Sequence, residues 1–188
     1  MGVDGADPPV IARRAVFLDR DGVINAAVVR GGRPYPPARP EDVEILLGVE
    51  QALADLRRAG YLLVVVTNQP DVARGTQTRE VVDAIHARLT TALPLDAVYS
   101  CFHDDADRCA CRKPAPGLLL DAARDLGIDL PASIMVGDRW RDVEAGAAAG
   151  CRTVFIDRDY DERRPHAFDA SAPSLSEAAP WILTGATR

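Results

Sequence analysis

AVFLDRDGVIN, residues 15–25, sets a short apolar run directly against an acid and a turn. Ala15 to Leu18 are all apolar, Asp19 ends the run, and Asp21 and Gly22 turn the chain away. An apolar run closed by turn residues predicts a strand buried on both faces. Strands of that kind belong to parallel sheets covered by helices on each side. The form returns in LLVVVTN (62–68), AVYSCFH (97–103), SIMVGD (133–138) and TVFID (153–157). Helical patterns fill the intervals. GVEQALADLRRAGY (48–61) places Val49, Leu53 and Leu56 at helical spacing, with Gly60 near its end. TREVVDAIHARLTTAL (78–93) offers Thr78 as an N-cap. APGLLLDAARDLG (115–127) is opened by Pro116 and closed by Gly127. RWRDVEAGAAAG (139–150) follows, and SLSEAAPWIL (174–183) carries a Ser-x-x-Glu start for a last short helix. Strands alternating with helices of this length predict an α/β fold, a parallel sheet with helices on both faces. The Pro- and Gly-dense residues 30–41 read as loop or a small flap over residues 25–41. Residues 1–13 read as a disordered leader, which leaves 14–184 as a single domain.

The 188 residues carry a net charge of -6, which argues against a nucleic-acid partner, since phosphate contacts need clustered Lys and Arg. No apolar run approaches the roughly 20 residues that span a bilayer, and the first residues contain no signal-peptide core. The expectation is a soluble cytoplasmic protein, monomeric, with no membrane partner. Of 22 basic residues, 21 are arginine, and the one lysine is Lys113, in CACRKPAPG (109–117). Either a compact point charge is wanted there rather than a planar fork, or one lysine simply survived the arginine bias.

In a parallel sheet the reacting groups belong at the carboxyl ends of the strands. Asp19 and Asp21 follow the first strand and Thr67-Asn68 end the second. Asp138 follows the strand 133–138, with Asp142 one helical turn on. Lys113 precedes the third long helix. Carboxylates converging on one edge need a cation, and hard oxygen ligands with open positions suit Mg²⁺. A lysine and a threonine hydroxyl beside it suit a phosphoryl group. One acid of the first loop can then attack phosphorus, and the other can move the leaving-group proton.

Cys101-x-His103 and Cys109-x-Cys111 supply three thiols and an imidazole within eleven residues. That is the donor set of a closed, structural Zn²⁺ site. It would pin the loop that presents Lys113, and its plain alternative is three free cysteines and a surface histidine. Cys151 stands outside the set and reads as a core thiol.

FLDRDGVIN, VVVTNQ, CRKPAPG and GDRWRD, in that order, resemble the haloacid dehalogenase (HAD) superfamily of phosphohydrolases, and most closely its capless branch. That branch contains heptose bisphosphate phosphatases and histidinol phosphatases, and the likeness runs from about residue 14 to 157. It implies a three-layer, Rossmann-like HAD fold without a large cap domain and with a zinc-stabilised loop. By the resemblance Asp19 is the nucleophile and Asp21 the general acid/base. Thr67, Asn68, Gln69 and Lys113 serve phosphate or substrate. Asp19, Asp138 and the carbonyl at Asp21 hold Mg²⁺, while Asp142 is second to these or only a salt-bridging residue.

The resemblance also implies a substrate, a small phosphorylated sugar. Arg112 and Arg139 can grip a second anionic group, and VARGTQT resembles the Ala-Arg-Gly of the heptose enzymes, which remove the 7-phosphate of D-glycero-D-manno-heptose 1,7-bisphosphate. The compact Cys-His loop instead resembles the histidinol-phosphatase domain, and TNQPD departs from the commoner TNQSG. A phosphoacceptor domain would put its reacting acid after a middle strand. A binding module without catalysis is a further alternative, against which every needed side chain is present.

Overall fold

The computed structural model describes residues 13–185. The leader expected over residues 1–13 falls, except for Arg13, outside them. Strand β1 (Ala15–Leu18) leads into a two-stranded hairpin, β2 (Val28–Arg30) and β3 (Arg33–Tyr35), that stands outside the main sheet. Helix α1 (Val49–Arg58) precedes β4 (Leu62–Asn68), and α2 (Arg79–Ala92) precedes β5 (Ala97–Cys101). Then come α3 (Gly117–Leu126), β6 (Ile134–Gly137), α4 (Trp140–Ala149), β7 (Arg152–Ile156), β8 (Ala170–Ala172) and α5 (Leu175–Leu183).

The six sheet strands lie in the order β5-β4-β1-β6-β7-β8, every neighbouring pair parallel. Alternation along β1 explains the three layers. Val16 and Leu18 point into a core with Leu53 and Leu56 of α1, Ile85 and Leu89 of α2, and Leu175 and Ile182 of α5. Ala15 and Phe17 point to the other face, against Leu118 and Ala122 of α3 and Ala145 of α4. Both faces are thus dry, which is why the strand reads as an unbroken apolar run. Truncating Phe17, fully buried, to Ala would cost about 3–5 kcal/mol.

The helix starts follow their local chemistry. Thr78 caps α2 through Val81 N–H, and Ser174 caps α5 through Glu177 N–H. Gly127 ends α3 in a left-handed conformation. The flap is more ordered than its composition predicts. Val28 to Tyr35 fold back around Gly31-Gly32, both at positive φ, as a two-residue hairpin turn requires. Strand β8 has no counterpart in the sequence reading. Its Ala-Ser-Ala carries no apolar run, and it is held by its register on Val154 to Ile156 of β7.

Chain order turns back at β1: β4 and β5 extend the sheet on one side, β6 and β7 on the other. The crevice at that reversal lies beyond the carboxyl ends of β1, β4 and β6. Asp19 N–H bonds Val136 O of β6 at 2.9 Å, so the first residue past β1 is fixed against its neighbour.

Candidate active site

The crevice opens as a cleft of about 600 Å³ lined by Asp19, Asp21, Thr67, Asn68, Lys113 and Asp142. Lys113 is 1% exposed, and its ammonium uses all three donors. It bonds Asp19 Oδ1 at 2.7 Å, Val66 O at 2.7 Å and Asp142 Oδ1 at 2.6 Å. Burial alone would lower the lysine pKa, but the charges of Asp142 and Asp19 hold it above its ordinary value. For Asp19, burial outweighs Lys113, and its pKa rises to about 6.

Asp138 lies beside this group and is 2% exposed. The Tyr160 hydroxyl stands beside its carboxylate, but neither oxygen is in hydrogen-bond geometry with a partner among the described residues. Burial first, then the charges of Asp19 and Asp142, push its pKa well above the carboxylate range. Gly22 makes room for it: at φ +90, a Cβ there would stand 1.9 Å from Asp138 Oδ2. Ligand oxygens of Asp19, Asp138 and Asp142 fall within 4.8 Å of one another. Three carboxylates against the one Lys113 ammonium leave two negative charges in a buried space. That charge and the two orphaned oxygens fit a hard divalent cation such as Mg²⁺. Asp142 differs from Asp138 in being spent already. Its Oδ1 holds Lys113, and its Oδ2 accepts Arg139 N–H at 3.0 Å. The structure therefore makes Asp142 the partner of Lys113.

Asp21 is held from every side. Arg20 Nε and Nη2 reach its two oxygens at 3.1 and 2.9 Å, Asn25 Nδ2 bonds Oδ1 at 2.9 Å, and Gln69 Nε2 bonds Oδ2 at 3.0 Å. Burial works against its charge, but Arg20 and these hydrogen bonds keep its pKa below the ordinary value. Arg20, fully buried, also reaches His86 Nε2 of α2 at 3.0 Å. Arginine only donates, so His86 accepts and is neutral. Sequence reasoning missed Arg20, Asn25 and His86. Arg20 sits inside the Asp-x-Asp-Gly turn and Asn25 three residues after it, where spacing gives no cue. His86 is a helical residue whose partner lies 66 positions away.

The other expected ligands divide. Thr67 is buried, and its Oγ1 accepts from Gln69 Nε2 at 2.8 Å. Asn68 clamps the lysine loop: its Oδ1 accepts Lys113 N–H at 3.1 Å, and its Nδ2 donates to Lys113 O at 3.0 Å. Arg112 and Arg139 both line the cleft, and both already hold an acid. Arg112 Nε meets Asp105 Oδ1 at 2.8 Å, and Arg139 forms a two-point pair with Glu162. Glu162 carries no local signal, because it sits in the charge run 157–164 and meets Arg139 across 23 residues.

The loop behind Lys113 holds the second cluster. Cys101 Sγ lies 3.6 Å from Cys109 Sγ and 3.2 Å from Cys111 Sγ, which is 3.4 Å from Cys109 Sγ. His103 Nδ1 lies 3.5 Å from Cys101 Sγ and 3.3 Å from Cys111 Sγ. A tetrahedron with Zn–S bonds of about 2.3 Å has edges of about 3.7 Å. The four donors match that figure closely enough to hold zinc. Cys151 is buried elsewhere in the core.

The HAD-hydrolase-like family model matches residues 110–178. D-glycero-beta-D-manno-heptose-1,7-bisphosphate 7-phosphatase of Helicobacter pylori is 33% identical over 179 residues, 92% of this chain and 99% of the relative. The chain belongs to the HAD-like phosphatases. Its Bordetella bronchiseptica relative of the same name is 39% identical, over 73% of this chain and 77% of its own. The crystal structure of the B. bronchiseptica D,D-heptose 1,7-bisphosphate phosphatase, complexed with magnesium and phosphate, superimposes with a TM-score of 0.79. It is 33% identical over 92% of this chain and 99% of that one. This HAD phosphatase has no inserted cap: the hairpin β2–β3 and the connection from β7 to β8 flank its cleft.

Proposed function

We propose that this phosphatase removes the 7-phosphate of D-glycero-D-manno-heptose 1,7-bisphosphate, acting on the β anomer for which its relatives are named. The observation that carries the reading is the end-to-end likeness to those relatives, around a cleft that gathers Asp19, Asp21, Thr67, Asn68 and Lys113 with Asp138 beside Asp19. Asp19, Asp138 and the Asp21 carbonyl would hold Mg²⁺, whose charge offsets that of the transferring phosphoryl oxygens when bound. Cys101, His103, Cys109 and Cys111 would hold Zn²⁺ and keep the Lys113 loop in place. Thiols clustered without a disulfide suit a reducing compartment, which favours the cytoplasm.

In the first step an Asp19 oxygen attacks phosphorus, and the bond from phosphorus to O7 of the sugar breaks. Lys113 sets its charge beside the phosphoryl oxygens, and to donate to one of them it must give up one of its bonds to Asp19, Val66 O or Asp142. Asp21 supplies a proton to O7. In the present geometry it is in its base form, so it must surrender bonds from Arg20 to carry that proton. In the second step Asp21 takes a proton from water, the water oxygen bonds phosphorus, and the Asp19–phosphorus bond breaks to release phosphate.

The test is phosphate release with Mg²⁺ from both heptose 1,7-bisphosphate anomers and from histidinol phosphate, with Asp19→Asn as the blank. Preference for the β-heptose by about tenfold or more is expected. Preference for histidinol phosphate would replace the substrate reading while leaving the chemistry.

A further inference from the structure

Residues 157–169 connect β7 to β8 and run along the mouth of the cleft. The first part is tied to the catalytic elements at successive positions. Arg158 Nε bonds Gly22 O at 2.9 Å, on the turn that carries Asp19 and Asp21. Asp161 N–H bonds Gly32 O at 2.8 Å, at the tip of the hairpin. Arg163 stacks on Trp140 at 3.9 Å and pairs with Glu144 of α4. Between these ties Glu162 reaches into the cleft wall and takes Arg139, with Oε2 2.9 Å from Nε and Oε1 on Nη2. Side-chain exposures of 16% for Glu162 and 35% for Arg139 leave the pair open on the cleft side.

A two-point fork on a carboxylate is the geometry with which arginine takes phosphate. Arg139 directly follows Asp138 and lines the cleft, whereas Arg20, which follows Asp19, is fully buried against Asp21. An anion arriving there meets a fork already closed by a carboxylate. A neutral hydroxyl cannot open it, while a phosphate dianion can compete with a single negative charge. We propose that Glu162 is an internal anion that occupies the Arg139 fork and is displaced by the second phosphate of the substrate, which makes the β7–β8 connection a determinant of bisphosphate affinity. This rests on the bisphosphate reading above. It has a consequence for turnover: the product keeps its 1-phosphate, and return of Glu162 to Arg139 weakens the grip on that product and helps to expel it.

The experiment is calorimetric titration, with Mg²⁺, of the non-turning Asp19→Asn protein and of Asp19→Asn with Glu162→Gln. The ligands are heptose 1,7-bisphosphate and heptose 7-phosphate. Gln keeps the size of Glu162 and removes its charge. Bisphosphate affinity is expected to rise about threefold to fivefold, the scale of one removed charge partner, with the 7-phosphate changing less than twofold. Adding Arg139→Gln should erase the gain. Unchanged or weaker bisphosphate binding in Glu162→Gln would overturn the proposal and make Glu162 a support that merely orients Arg139. If neither heptose phosphate binds, the substrate reading fails, and fructose 1,6-bisphosphate against fructose 6-phosphate decides the fork by the same contrast. A gain confined to the bisphosphate supports displacement, and equal shifts or no binding refute it.

Discussion

Asp142 holds Lys113 at 2.6 Å, carboxylate to ammonium, with side-chain exposures of 3% and 1%. The contact separates two acids that the sequence leaves equivalent. Asp138 has both oxygens free and Asp142 has both engaged. Asp138→Asn is therefore expected to raise the Mg²⁺ concentration for half-maximal activity by about a hundredfold, the upper part of the range for disturbed metal sites. Asp142→Asn should move that concentration less than threefold while lowering kcat about tenfold or more, because Lys113 loses its anchor. Mg²⁺ titrations of both variants check this. Equal shifts in Mg²⁺ demand would make Asp142 a ligand.

Lys113→Arg preserves the charge and should still lose about a hundredfold or more in kcat, the scale of one lost oxyanion donor. The three acceptors at 2.6–2.7 Å surround a point donor, and a planar fork cannot meet all three in a site 1% exposed. Steady-state kinetics with the folded variant, its melting temperature recorded alongside, tests the role. Turnover within threefold of wild type would remove it.

Zinc removal should loosen the loop before it touches the sheet. Chelation is expected to lower the melting temperature by about 5 °C or more, since structural zinc contributes directly to folding. Hydrogen exchange should accelerate over residues 101–113, and Mg²⁺ should not reverse it. Asn68, clamped to the Lys113 backbone, transmits the loss to the site, so activity should fall with it. An unchanged melting curve after verified chelation would contradict the metal assignment.

His86 gives a pH signature. Burial first, and then Arg20, lowers its pKa from 6.5 to about 4. In the unfolded chain it takes a proton as pH falls through 6.5, whereas the folded chain resists until about 4. Its contribution is thus complete above pH 6.5 and lost between 6.5 and 4, about 3 kcal/mol. His86→Gln should show a flatter decline over that window in urea-unfolding free energy. The comparison cancels the carboxylates common to both proteins. Parallel curves would refute the Arg20–His86 contact as a charged–neutral pair.

The order of elements was legible because each buried strand carries its own apolar run and each helix its own caps. The positions of Asp19, Thr67 and Asp138 at strand ends, and of Lys113 before α3, followed from that order. Their partners did not. Gln69 turns inward to Asp21 and Thr67, and Asn68 to the Lys113 backbone. Nothing local marks either orientation, because contacts across 45 or 48 residues depend on how strands pair. Arg112 and Arg139 offer themselves in the sequence as grips for an anion, yet which acid meets which arginine is decided by loops such as 157–164 that carry no periodicity. The Gly31-Gly32 hairpin was readable in principle, and the proline density around it masked the signal.

The most direct measurement of the central claim, that Asp19 carries the phosphoryl group, is acid quench during turnover of heptose 1,7-bisphosphate labelled with ³²P at position 7. Label is expected on the protein, labile to alkali, in the peptide that contains Asp19, and absent in Asp19→Asn. Steady release of labelled phosphate from the wild type with no label on that peptide, or with label on Asp21, would contradict it.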